Sequence, residues 1–468
     1  MKNLFLLTMV SLFFLFSCNN QKEQPPNIIF ILADDLGYGD LGCYGQQQIQ
    51  TPNIDRLAQD GIRFTQHYAG STVCAPSRCS LMTGLHTGHS LIRGNASVPL
   101  QKSSITVAKL LQNAGYKTGL VGKWGLGESG STGIPNKQGF DYFFGYLNQI
   151  RAHNYYPDFL WRNEQKVELK NEVIVAQEGY SKGVGTASTN KKAYSHDLFT
   201  SEAINFIEES ADTSFFLYLA YTIPHANNEH WLIDEHGMEV PDYGIYSEKD
   251  WPEPQKGLAA MISRMDKDIG NLKEKLEHLG IAENTLIIFS SDNGPHAEGM
   301  NDPDFFNSNG PLKGIKRDLY EGGIRVPMIA WWPGSIQPGK VTDHVSAFWD
   351  FLPTACDIAG IEQPEGTDGI SYLPVLLGEE QEKHDFLYWE FFEQGGKQAV
   401  RKDQWKAVRL SMNDEPNAPM EIYNLEEDLS ENQDVAADNP EIVSVMDSIM
   451  KTARTESPHF KFKFEDND

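Results

Sequence analysis

The sequence predicts an α/β protein: a large, doubly wound, mainly parallel sheet flanked by helices, followed by a small antiparallel sheet with one helix. Three observations predict it. Apolar runs alternate with segments of helical periodicity as far as about residue 365; polar clusters recur where those runs end; past that point the chain breaks into short strands around turns.

The elements follow in order. Asn27–Ala33 (NIIFILA) is almost continuously apolar and ends in Asp34-Asp35-Leu36-Gly37, the pattern of a strand buried on both faces. Thr51-Pro52 opens a helix through Leu57, with proline at the favoured first position. Val107 to Ala114 has helical spacing and Gly115 stops it, before a strand over Tyr116–Val121. The pairing recurs as helix Asp197–Glu208 with strand Phe215–Ala220, and helix Leu258–Leu279 with strand Thr285–Phe289. Strand Arg325–Trp331 and helix Phe348–Ala359 complete the set. Open sheets of this kind do their chemistry at the carboxyl ends of strands. Asp34-Asp35, Gly122-Lys123, Pro224-His225 and Asp292-Asn293 all fall there. In the C-terminal part, Phe386–Phe391 and Gln398–Leu410 read as strands around a turn at Lys402-Asp403, followed by Glu421–Leu425 and an amphipathic helix over Pro440–Thr452.

The 468 residues exceed one typical domain, and the 40% apolar content is enough for a large core, which excludes a disordered or collagen-like chain. The net charge of −26 argues against holding a phosphate backbone, so no nucleic-acid partner is expected. Most of those carboxylates read as solvated surface, and a few as ligands of a divalent cation. Lys2, the apolar run Leu4 to Phe16 and small Ser17 form a signal peptide. Leu15-Phe16-Ser17-Cys18 resembles the lipobox of bacterial lipoproteins, with Cys18 as the lipid-bearing residue. The expected divisions are therefore a signal peptide (1–18), a polar tether (19–26), a catalytic domain (27–365) and a C-terminal subdomain (366–468). The expected location is that of an exported lipoprotein anchored by lipid alone, facing the periplasm or the cell surface. Cys43, Cys74, Cys79 and Cys356 are too sparse for a disulfide scaffold, and the Cys74/Cys79 spacing is wrong for zinc.

The most specific segment is Cys74-Ala75-Pro76-Ser77-Arg78, followed by Cys79-Ser80-Leu81-Met82-Thr83-Gly84. It resembles the signature of the type I sulfatases of the alkaline phosphatase superfamily, in which the cysteine becomes formylglycine. The resemblance covers nearly all of residues 27–460. It implies hydrolysis of a sulfate ester by a hydrated aldehyde at Cys74, steadied by Arg78. It also implies one calcium ion held by Asp34, Asp35, Asp292 and Asn293 together with the modified Cys74. Lys123 and Lys316 match sulfate-binding lysines, and His225 a histidine near the leaving oxygen; Lys313 has the wrong spacing to Tyr320-Glu321-Gly322-Gly323. The family's Gly-Lys-Trp-His-Leu-Gly is here Gly122-Lys123-Trp124-Gly125-Leu126-Gly127, so its histidine is missing. His153 is the candidate substitute, with an ordinary pocket histidine as the alternative, and His296 is a further pocket candidate. The implied partners are a formylglycine-generating maturase and a sulfated glycan, with aryl sulfates also accepted. Aromatics such as Tyr155, Tyr156 and Trp161 suit sugar stacking, although core packing explains them equally well. Two other readings stay open: a formylglycine-dependent phosphoester or phosphonate hydrolase, and a non-catalytic glycan-binding lipoprotein.

Overall fold

A computed structural model describes residues 24–466. Cys18 and the signal peptide lie outside the described residues. In chain order the strands are β1 (Asn27–Ala33), β2 (Ile62–Tyr68), β3 (Lys117–Lys123), β4 (Tyr142–Tyr146), β5 (Phe159–Arg162), β6 (Gln165–Glu168), β7 (Glu172–Val175), β8 (Thr186–Asn190) and β9 (Phe215–Ala220). Then come β10 (Thr285–Ser291), β11 (Arg325–Trp331), β12 (Lys340–Thr342), β13 (Ser346–Ala347), β14 (Leu387–Phe391), β15 (Lys397–Lys402), β16 (Trp405–Arg409) and β17 (Met420–Asn424). The helices are α1 (Pro52–Asp60), α2 (Cys74–Thr83), α3 (Val107–Asn113), α4 (Ser195–Ser210), α5 (Glu253–His278), α6 (Glu321–Ile324), α7 (Phe351–Ala359), α8 (Leu373–Leu377) and α9 (Pro440–Thr452).

The main sheet has the order β12-β2-β11-β10-β1-β9-β3-β4-β5-β6. Its centre, β10-β1-β9-β3-β4, is parallel throughout. Strand β11 instead runs antiparallel to both β10 and β2, and β5 and β6 add an antiparallel hairpin at the far edge. The alternation along β1 explains its central place. Ile29, Ile31 and Ala33 pack beneath α1, α4 and α5, whereas Ile28, Phe30 and Leu32 pack against α2, α3 and α7. A strand with apolar side chains on both faces is stable only when covered on both.

The C-terminal strands form the antiparallel sheet β14-β15-β16-β17. Met446 and Met450 of α9 cover one face, while Trp389, Phe391 and Val408 of the other pack on Tyr68, Leu319 and Trp349 of the larger layer. Polar ties reinforce that seam. Trp389 Nε1 donates to Ala69 O at 2.9 Å, and Arg93 pairs with Glu390 at 2.8 Å. Lys406 of β16, fully buried, pairs with Glu321 of α6 at 2.8 Å and with Glu431 at 3.6 Å.

Two stability predictions follow from buried charges. Replacing Lys406 by Met leaves Glu431 without its ion-pair partner and Glu321 with Arg325 alone, so chemical denaturation should register a loss of about 3–5 kcal/mol. Burial pushes Asp40 up to about 7, and one of its oxygens is buried without a partner. The folded protein therefore holds this proton where the unfolded chain has released it, and stability falls as pH rises from about 4 through 7. Asp40→Asn should raise the Tm at pH 8 and have little effect at pH 4.

Candidate active site

The site forms where the carboxyl ends of β1, β3 and β10 meet the N-terminus of α2. Asp34 and Asp35 follow β1 directly, and Asp35 has a φ of 65°, a left-handed conformation that aspartate tolerates and that turns the chain sharply after the strand. The turn is pinned from β10: Asp35 N donates to Asp292 Oδ1 at 3.1 Å and Leu36 N to Ser291 Oγ at 2.8 Å. Cys74 is the first residue of α2, whose ten residues are all buried. Its Sγ donates to Asp34 Oδ1 at 3.3 Å. Burial, and then the Asp34 carboxylate, push the Cys74 thiol well above its ordinary range, so an unaltered Cys74 is a neutral thiol.

Each carboxylate meets a cation from a different part of the chain. Lys123 Nζ donates to Asp34 Oδ2 at 2.7 Å. Arg78 donates through Nε and Nη2 to Asp292 Oδ2 at 3.0 and 2.8 Å, and through Nη1 to the Lys123 carbonyl at 2.8 Å. Lys316 Nζ donates to Asp35 Oδ2 at 2.8 Å, to Glu298 Oε2 at 2.9 Å and to His225 Nε2 at 3.0 Å. Burial disfavours the charge on Asp34 and Asp35, but the neighbouring lysines outweigh it and hold both below the usual carboxylate range. Asp292 goes the other way: burial, then the like charge of Asp34, push it up to about 7. His225 Nδ1 donates to the Ala226 carbonyl at 2.6 Å, so Nε2 carries the lone pair that receives Lys316. Burial and then Lys316 hold His225 well below its ordinary value.

The donor set fits a divalent cation. Asp34 and Asp35 follow β1, and Asp292 and Asn293 follow β10, so four hard oxygen donors stand at two neighbouring strand ends. Atoms of Asp34, Asp35, Cys74 and His225 lie within 4.8 Å of one another. Asn293 Nδ2 donates to Asp35 Oδ1 at 2.7 Å, while Asn293 Oδ1 is buried with no hydrogen-bond partner. A positive ion bound here would satisfy that oxygen and offset the Asp34 charge that adds to burial in lifting Asp292.

The histidines separate into two kinds. His153 stacks face to face on His225, with centroids 4.7 Å apart and planes 12° apart, and its Nδ1 lies 3.1 Å from Glu229 Oε2. His296 is spent on main chain: Nε2 donates to Pro224 O at 3.1 Å, and Nδ1 accepts from Glu298 N at 3.0 Å. Its ring nonetheless lies beside the site, with its centroid 5.8 Å from that of His225. Lys313 turns to the C-terminal sheet and donates to Glu431 O at 2.9 Å, leaving Lys316 as the site lysine. Gly125 has a φ of 80°, so a histidine here would be strained. Glu298 and Glu229, which orient Lys316 and His153, carry no local signal in the sequence; they are known only through the fold.

The chain matches the Sulfatase family model over residues 26–361. It belongs to the sulfatase family. This sulfatase also matches the model for N-sulphoglucosamine sulphohydrolase, C-terminal, over residues 315–457. It is 30% identical to N-acetylgalactosamine-6-O-sulfatase of Bacteroides thetaiotaomicron over 93% of this chain and 94% of that one. It is likewise 30% identical to Arylsulfatase G of Rattus norvegicus, over 93% of this chain and 88% of the relative. The solved structure of Ps i-CgsB in complex with k-i-k-neocarrahexaose superposes with a TM-score of 0.78 at 29% identity, covering 95% of this chain and 96% of that one. The sulfatase is thus a sulfuric ester hydrolase.

Metal binding can be read without turnover. Calcium at about 100 times its dissociation constant should stabilise the chelator-treated protein by roughly 2.7 kcal/mol, and Asn293→Ala should weaken that response. A thermal transition that calcium leaves unmoved would show that the lysines alone satisfy the cluster.

Proposed function

We propose that this sulfatase removes sulfate from a sulfated carbohydrate, and from aryl sulfates, through a formylglycine made from Cys74 and one calcium ion. The observation that carries the reading is Cys74 at the buried start of α2, bonded to Asp34 and surrounded by Arg78, Lys123 and Lys316. When present, calcium held by Asp34, Asp35, Asp292 and Asn293 supplies positive charge opposite the sulfuryl oxygens, and the hydrated aldehyde at position 74 supplies the nucleophilic oxygen.

The chain's own residues do the rest. Lys123 and Lys316, charged and buried, offset the negative charge of the sulfate and exclude water from it. Arg78 fixes Asp292 and the end of β3, which holds Lys123 in register. Lys316 Nζ donates to His225 Nε2 at 3.0 Å beside the site, so the lysine carries the proton that a leaving alkoxide would receive. His153, oriented through Nδ1 by Glu229, stands in for the histidine absent at Gly125 as a proton carrier at Nε2. The glycan substrate is supported by the relatives: one is named for 6-O-sulfated N-acetylgalactosamine, and the Ps i-CgsB structure holds neocarrahexaose. Export as a lipoprotein anchored through Cys18, at the periplasmic face or the cell surface, and processing by a maturase complete the proposal.

Three measurements test it. Mass spectrometry of the Cys74 peptide should find the aldehyde; an unmodified cysteine would favour a glycan-binding role. Cys74→Ala should lower kcat by at least about 10³-fold with an unchanged Tm, whereas Cys74→Ser should give at most one turnover. Nitrophenyl sulfate should be cleaved faster than nitrophenyl phosphate, and the reverse order would assign the site to phosphoesters.

A further inference from the structure

A cavity of about 220 Å³ adjoins the cation cluster, lined among others by Asn95, Val98, Gly125, Glu128, Asn148 and Gln149. Two of its walls are tied to neighbours of the cluster. Asn95 Oδ1 accepts from Ala75 N, next to Cys74, at 3.2 Å, and Gly125 lies two residues beyond Lys123. Bare Gly125 keeps the cavity open: a Cβ there would stand 3.3 Å from Gln149 Oε1. That oxygen is buried and has no hydrogen-bond partner, a state that proteins avoid unless a ligand supplies the donor.

The remaining walls narrow the ligand. Val98, Pro99 and Ile150 offer apolar surface suited to the face of a pyranose ring. Asn148 Nδ2 is already committed to Glu128 Oε1 at 2.5 Å, and Glu128 is exposed at the rim. No lysine, arginine or histidine is among the lining residues. An anion would therefore find a carboxylate there and no cation.

We propose that this cavity is the subsite for an uncharged sugar ring beside the sulfated unit, with Gln149 Oε1 accepting from a ring hydroxyl or amide N–H and Glu128 rejecting a second sulfate. The subsite rests on the sulfatase reading above and adds its specificity. Gln149 and Glu128 stand outside the catalytic cluster, so each can be changed without touching the reaction.

The test compares nitrophenyl sulfate with a panel of monosulfated galactose and N-acetylgalactosamine monosaccharides, their disaccharides, and disaccharides bearing a second sulfate on the neighbouring ring. The intact enzyme should prefer at least one monosulfated disaccharide over its monosaccharide by about tenfold in kcat/KM, the worth of one hydrogen bond. Gln149→Leu should erase that preference and leave nitrophenyl sulfate within about twofold, since a hydrogen bond absent from the aryl substrate cannot be lost. Glu128→Gln should raise kcat/KM for the doubly sulfated disaccharide by a comparable factor. Equal losses of Gln149→Leu on aryl and saccharide sulfates, or no preference for any disaccharide, would overturn the subsite. No turnover of any sulfate ester by the intact enzyme would instead sink the sulfatase reading beneath it.

Discussion

Three buried carboxylates at adjacent strand ends must each find positive charge, and much of the molecule is arranged to supply it. Removing a single partner from a buried ion pair is among the most damaging changes a protein can suffer. Asp34, Asp35 and Asp292 draw Lys123 from the end of β3, Lys316 from the loop before α6 and Arg78 from α2. Those contacts span 89, 281 and 214 positions of the chain, so the cluster can form only when the sheet is complete. Site and fold are therefore one construction.

The sequence revealed the parallel core because its elements bury two apolar faces or one regular stripe. β1 spans Asn27–Ala33 and α9 spans Pro440–Thr452, matching the bounds read from periodicity. β3 runs on to Lys123 because that residue still pairs with Tyr146 of β4, a register no local pattern announces. β2 and the strands β4 to β8 were not foreseen. β6, Gln165–Glu168, is mostly exposed and polar, so it lacks the apolar run that marks a strand. The antiparallel sense of β11 was equally silent, since a buried strand reads the same in either direction.

The site was legible to a similar depth. Residues recognised by motif, from Asp34 to Lys316, come together in one hydrogen-bonded cluster. What the motif omitted are the supporting acids. Glu229 is fully buried against His153, and Glu298 joins Lys316 and Arg317, yet each sits among ordinary loop residues. The overall charge of −26 misleads in the same way, because the local balance of three carboxylates and three cations is invisible to a sum over the chain.

The burial of Cys74 has a consequence in time. The side chain is 2% exposed, beneath a helix with no exposed residue. Any reagent that reaches this thiol must do so before the sheet closes or through a local opening of the fold. Chemistry at position 74 and closure of the fold therefore draw on the same stretch of chain. In the folded protein, the rate at which a thiol reagent labels Cys74 reports how often that stretch opens, a clock for local unfolding set at the centre of the site.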